Sequence, residues 1–323
     1  MDQPAPAATP APPARLVVLA TGGTIACTRD RAGALVPTRS GAELVAEVAA
    51  RFPDGALEVE VRELARLDSA ALTMADVDAV VEACHGALAD PGVTGVVVLH
   101  GTDTMEETAA AVDLFHDDPR PVVFTGAQRP ADDPEADGPG NLFEAMVVAA
   151  DASARGIGAL IVFGHAVLPA RGAVKWHAQD PLAFATNAPE DPPRPAPLPR
   201  VALAGTRVDV IAAYPGADGA LVDAALAAGA EGLVLVGYGA GNIGGAFAAA
   251  AVRALDAGVP VVMCTRVPRG VVRGDYGGAG GGATLAARGV IGAGCLHAGQ
   301  ARVALAAALA AGVHPQTLFD APD

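Results

Sequence analysis

Short apolar runs recur along this chain, and most of them lead straight into glycine-rich or polar loops. Leu16 to Ala20, Val96 to Leu99, Val122 to Phe124, Leu160 to Phe163, Leu233 to Val236 and Val261 to Cys264 are continuously hydrophobic rather than alternating. An alternating strand has one dry face, whereas a continuous run has two, as in a parallel sheet covered by helices on both sides. Helical stretches fall between the runs. Thr104 and Glu107 have the spacing of a capping box that opens a helix running to about Phe115. Asn141 and Glu144 have the same spacing before a helix that ends near Ala150. Strand and helix in alternation predict an α/β protein built on parallel sheet.

The pattern is interrupted at Ala188 to Arg200, a proline-rich stretch expected to be extended and stiff, and a second α/β pattern follows it. The expected organisation is a leader over residues 1–14, a larger N-terminal catalytic α/β domain over 15–186, a proline-rich linker over 187–199 and a smaller C-terminal α/β domain over 200–323. The leader has five prolines and no apolar core of a secretory signal, so it reads as disordered.

Composition narrows the picture in three ways. Hydrophobic residues make up 52% of the 323 positions but aromatics only 4%, so small aliphatic side chains must fill the core. A formal net charge of -15 leaves no basic surplus to neutralise phosphates, which argues against a nucleic-acid partner. Cys27, Cys84, Cys264 and Cys295 show no C-x-x-C spacing, and no apolar stretch reads as a membrane helix. A cytoplasmic protein with reduced thiols, no metal and no organic cofactor is the expectation.

Ligands of open parallel sheets bind beyond the carboxyl ends of the strands, and three loops of interest sit there. Thr21-Gly22-Gly23-Thr24-Ile25 follows the first run; its glycines allow close backbone approach and Thr24 adds a hydroxyl, although a tight turn or a degenerate nucleotide loop has the same look. His100-Gly101-Thr102-Asp103-Thr104 follows the second, with Thr104 as a helix cap and Asp103 either facing a ligand or serving as a second cap-region carboxylate. Thr125-Gly126-Ala127-Gln128-Arg129 follows the third, with Asp137-Gly138-Pro139 and Asn141 beyond it, where turn chemistry accounts for Gly138-Pro139. Singly, none of these loops names a reaction.

Taken in order, TGGTI, HGTDTMEET, TGAQR and DGPGNL resemble the bacterial-type L-asparaginase family. The resemblance extends to Lys175, to GAGN at 239–242, to Arg266-Val267-Pro268 and to Ala301-Arg302-Val303, and so covers nearly the whole chain from residue 15. It implies hydrolysis of L-asparagine to aspartate and ammonia through a covalent acyl-enzyme, with room for side glutaminase activity. Thr24 is then the nucleophile, and Lys175 draws a proton through the Thr102 hydroxyl beside Asp103. A threonine hydroxyl needs such assistance, being a poor nucleophile on its own at neutral pH. A lysine base must act unprotonated, a state that desolvation favours and the Asp103 carboxylate opposes; a structural ion pair is the alternative for Lys175.

By the same resemblance Ser69 binds the substrate α-carboxylate, Asp103 receives the α-ammonium and Ala127 offers its carbonyl to the scissile amide. Gly101 lies among the substrate-binding residues, with backbone N–H groups near Thr102 as an oxyanion hole. Without the resemblance, Ser69 reads as a loop hydroxyl capping the helix after Thr73. Asn242 matches a residue that reaches a neighbouring subunit's site, or is an ordinary turn asparagine. The family pattern thus implies a homodimer or homotetramer.

Three departures stand out: no tyrosine in the loop Cys27 to Pro37, Ala70 where Gln or Glu is frequent, and Gly277 where a partner-subunit glutamate is frequent. Tyr276, next to Gly277, is either a surface tyrosine or a phenol that enters the partner's site in place of the missing one. Two other readings of the chain as a whole are a non-catalytic amino-acid-binding module and an ammonia-supplying amidotransferase subunit.

Overall fold

The computed structural model of the chain describes residues 12–188 and 194–319. Most of the leader and the middle of the linker therefore lie outside the described residues. In chain order the N-terminal part contains β1 (Ala14–Gly22), the hairpin β2 (Cys27–Arg29) and β3 (Leu35–Pro37), α1 (Gly41–Ala49) and β4 (Leu57–Leu67). Next come α2 (Met74–Leu88), β5 (Gly95–Leu99), α3 (Met105–Phe115), β6 (Val122–Thr125), α4 (Gly138–Ala150) and β7 (Ala159–Phe163). β8 (Ala166–Pro169), β9 (Ala173–Lys175) and β10 (Phe184–Thr186) complete this part. The C-terminal part runs β11 (Val208–Ala212), α5 (Ala220–Ala227), β12 (Gly232–Gly237), α6 (Gly245–Asp256), β13 (Val261–Thr265), α7 (Gly282–Ala287), β14 (Ile291–Gly292) and α8 (Ala298–Ala311).

The first sheet has the order β4-β1-β5-β6-β7-β8, parallel except for β8. The order reverses between β1 and β5, which opens a crevice at their carboxyl ends, the place where ligands of such sheets bind. The second sheet, β11-β12-β13-β14, is entirely parallel. All six continuous apolar runs are strands, as their two dry faces require. Leu16, Val18 and Ala20 of β1 pack with α1 and α4, while Val17 and Leu19 pack toward α2 and α3. That second face continues into α8 and onto β11, β12 and β13, so one core joins the two sheets. Between these layers α3 and α8 are buried almost all round, and their alanines keep the stack thin.

Several local expectations change. α3 has Thr104 at its N-cap, but that side chain makes no capping bond; its hydroxyl donates to the Ser69 carbonyl at 2.9 Å. A distant carbonyl has outcompeted the local amide. α4 begins at Gly138 with Pro139 in its first turn, so this dipeptide opens a helix rather than making a turn. Asn141 is inside that helix and buried, with Nδ2 donating to the Gly126 carbonyl at 3.0 Å and Oδ1 accepting from the Gly164 amide at 3.1 Å. The cap of α2 is Thr73 itself, in a capping box with Asp76. Of the linker, Arg194 pairs with buried Asp113 at 2.9 Å and the Leu198 amide donates to the Leu114 carbonyl, which pins it to the end of α3.

Candidate active site

The loops after β1, β5 and β6 meet where the strand order reverses. β1 slips register against β4 between Ala20 and Gly22, and the chain then turns through Gly22 and Gly23, both at positive φ, into a short 3-10 turn, Thr24–Ala26. Gly23 has φ +85° and lies directly on the backbone of Gly101: a Cβ there would fall 2.5 Å from the Gly101 Cα. Only glycine satisfies both the dihedral and the contact. Gly101 is also pressed by Ser69, whose Oγ would lie 2.5 Å from a Cβ added at Gly101. The Gly23 and Gly101 segments are thereby seated backbone on backbone, with the Ser69 side chain packed against Gly101. His100 locks the seam. It is fully buried, its Nδ1–H donates to the Gly101 carbonyl at 2.7 Å, and burial lowers its pKa to about 4, so the ring is neutral.

Thr102 and Asp103 follow at the strand-to-helix junction. Thr102 is buried, and Lys175, at the end of β9, donates from Nζ to its Oγ1 at 2.8 Å and to Asp103 Oδ1 at 2.6 Å. The Lys175 side chain is only 17% exposed and that of Asp103 56%, so the lysine is largely shielded while the carboxylate keeps a face open. Ser69 is buried, and its Oγ accepts from the Asp103 amide at 3.3 Å. Ser69 is not a cap for α2; it links the 68–71 turn to the Thr102–Asp103 junction. Ala127 is buried in the loop after β6, which hydrogen bonds from the Gln128 and Arg129 amides to Asp137 hold in shape.

Lys175 therefore contacts Thr102 and Asp103, Ser69 contacts Asp103 and Gly101, and Thr24 follows directly on the Gly23–Gly101 seam. Asn242 and Tyr276 are in the C-terminal part. The Asn242 Oδ1 accepts from the Gly282 amide at 3.1 Å, and the Tyr276 carbonyl accepts from the Ala283 amide at 2.9 Å.

Two side chains not singled out from sequence touch this cluster, and a third braces the segment beside it. Gln128 accepts the Thr102 hydroxyl at 3.2 Å and donates to the His177 and Asp180 carbonyls, at 3.2 and 3.3 Å. Glu106 accepts the Lys175 amide at 2.5 Å; burial raises its pKa to about 7 against the opposing pull of that bond and of the Lys175 charge, with Glu107 adding to the rise. Gln300 reaches the segment before Lys175 from α8. TGAQR and MEET carried Gln128 and Glu106 in plain view, but nothing local named their distant partners.

This constellation sits in a chain whose residues 15–194 match the family model described as "Asparaginase, N-terminal", and whose residues 207–320 match "Glutaminase/Asparaginase C-terminal domain". The chain belongs to the asparaginase family. Among curated relatives, "L-asparaginase" of Bacillus licheniformis is 31% identical, with 92% of this chain and 95% of that protein covered. "Probable L-asparaginase" of Deinococcus radiodurans is 34% identical, with 92% and 93% covered. Among solved structures, a "Probable Cytoplasmic L-asparaginase from Campylobacter jejuni" superposes with a TM-score of 0.81 at 27% identity, covering 95% of this chain and 99% of that one. Family membership also settles the fold class, a two-part α/β architecture dominated by parallel sheet.

Proposed function

We propose that Thr24 attacks the side-chain amide carbon of L-asparagine, releasing ammonia and leaving an acyl-enzyme that water then hydrolyses to aspartate. Hydrolysis of this amide is the activity that membership of the family and relatives named L-asparaginase support. The observation that carries the residue assignment is Lys175 bridging the Thr102 hydroxyl and the Asp103 carboxylate beside the Gly23–Gly101 seam. Lys175 takes its proton through Thr102, and the half-open face of Asp103 receives the substrate α-ammonium. Ser69 and Gly101 contribute to the α-carboxylate site, and the Ala127 carbonyl orients the scissile amide.

The active form is a homodimer or homotetramer in the cytoplasm, with Asn242 and Tyr276 turned toward a neighbouring subunit's site. The exposure of the Tyr276 ring supports the subunit arrangement, and the likeness to a structure described as a probable cytoplasmic L-asparaginase supports the location. The working units are the domains at 15–186 and 200–323 with the linker between them.

Thr24→Ala removes one hydroxyl from a loop whose shape is set by glycines. Ammonia release from asparagine should fall to background while the melting temperature stays within a few degrees of wild type, since only one hydroxyl of a half-buried side chain is lost. Residual turnover above a tenth of wild type, in protein free of other asparaginases, would remove Thr24 from the nucleophile role. Asparagine binding by wild-type protein without any ammonia release would mark a non-catalytic binding module instead.

A further inference from the structure

Lys175 is carried by a strand of only three residues, β9, paired on one side with β10. A strand that short has little stiffness of its own, yet a general base has to be held within a fraction of an ångström. Gln300, at the start of α8 and 2% exposed, meets the chain just before Lys175 with every polar atom of its amide. Its Nε2 donates to the carbonyls of Ala170 at 2.7 Å, Ala173 at 2.9 Å and Glu106 at 3.2 Å, and its Oε1 accepts from the Gly172 amide at 2.8 Å. Glu106 closes the ring, because its carboxylate accepts the Lys175 amide. The backbone on either side of Ala173 is thus tied to α8 and α3 at once.

We infer that Gln300 is a positioning residue for the reaction: from the C-terminal domain it fixes the strand that presents Lys175 to Thr102. The inference rests on the reading of Lys175 as the base. The amide is saturated and fully buried, and all of its bonds go to the N-terminal part rather than to its own domain. Within one chain Gln300 thus links the C-terminal part to the strand that carries Lys175, without itself touching substrate.

The test uses the full-length protein with Gln300→Leu, which keeps the bulk and removes all four bonds, and Gln300→Asn, one methylene shorter and milder. With Lys175 displaced by up to an ångström, kcat should fall about 10²-fold in the leucine variant. KM should stay within about threefold, because Ser69 and Asp103 are untouched. The asparagine variant should show the same split with a smaller, several-fold loss, and it carries the test if the leucine variant does not fold. Hydrogen exchange of the amides at 172–175 should quicken in both. Wild-type kcat per folded molecule overturns the inference, as does a loss that tracks the folded fraction alone. Lys175→Met serves as the control. If that variant is active, the base assignment fails; if it is inactive while folded Gln300 variants turn over normally, only the Gln300 inference fails.

Discussion

The loops beyond β1, β5 and β6 and the segment from Arg266 to Gly282 both carry candidate site residues, but they are built in opposite ways. In the first region Ser69, Thr102 and His100 are buried, and backbone lies on backbone with no gap. In the second, Val267, Val271 and Tyr276 are exposed, Tyr276 by 61%, and an added Cβ at Gly277 would meet nothing within 4 Å. The first region is a finished piece of geometry within one chain. The second presents a large aromatic ring and an open glycine to the outside. The residues of the proposed relay thus all come from one chain, and the open segment lies where the proposed second copy would sit.

That contrast can be broken most directly at the relay. Lys175→Met keeps the length of the side chain and removes its nitrogen, so kcat should fall about 10²–10⁴-fold, the range for loss of general-base assistance. Steady-state ammonia release decides it; a change of only a few-fold would make the lysine a structural partner of Asp103.

A second, smaller effect should separate the sealed region from the open one by pH. Burial raises the Glu106 pKa to about 7 from an ordinary 4.5, so the folded state binds a proton that the unfolded state gives up more readily. Stability contributed at this site therefore falls as pH rises from about 4.5 through 7. Glu106→Gln has no proton to lose, so its melting temperature relative to wild type should climb between pH 5 and pH 8. A constant difference across that range would show that Glu106 titrates normally. No such trend should accompany substitutions in the 266–282 segment.

The smallest effect is expected at Tyr276. Tyr276→Phe should lower kcat by a few-fold with unchanged melting, and wild-type activity should decline on dilution below the subunit dissociation constant. Wild-type kinetics in the variant would reduce Tyr276 to a surface residue, and concentration-independent activity would remove the need for a second copy.

Legibility from sequence followed the same divide between local and distant causes. Continuous apolar runs gave the buried strands, because a run dry on both faces has few other places to go. β4 escaped that reading: Leu-Glu-Val-Glu-Val alternates and carries charge, as suits an edge strand with one open face beside β1. The site was legible where residue and chemistry coincide in one motif, as in the glycines of TGGTI and the Thr-Asp pair of HGTDT. It was not legible where a polar side chain is committed to partners far along the chain. Thr104 and Asn141 were assigned local caps and in fact serve remote carbonyls, while Gln128, Glu106 and Gln300 offered no local sign of their bonds.

The contact between Gly23 and Gly101 also sets how the site can move. Side chains between two loops act as springs, since rotamers can change while the backbones stay put. Here there are none, so any shift of the loop that carries Thr24 must be handed directly to the backbone that carries Thr102, and through it to the neutral His100 beneath. The two hydroxyls behave as fixtures on one rigid joint. The β2–β3 hairpin that follows Thr24 is fastened to the same joint, since the Cys27 Sγ of β2 donates to the Gly23 carbonyl at 3.4 Å.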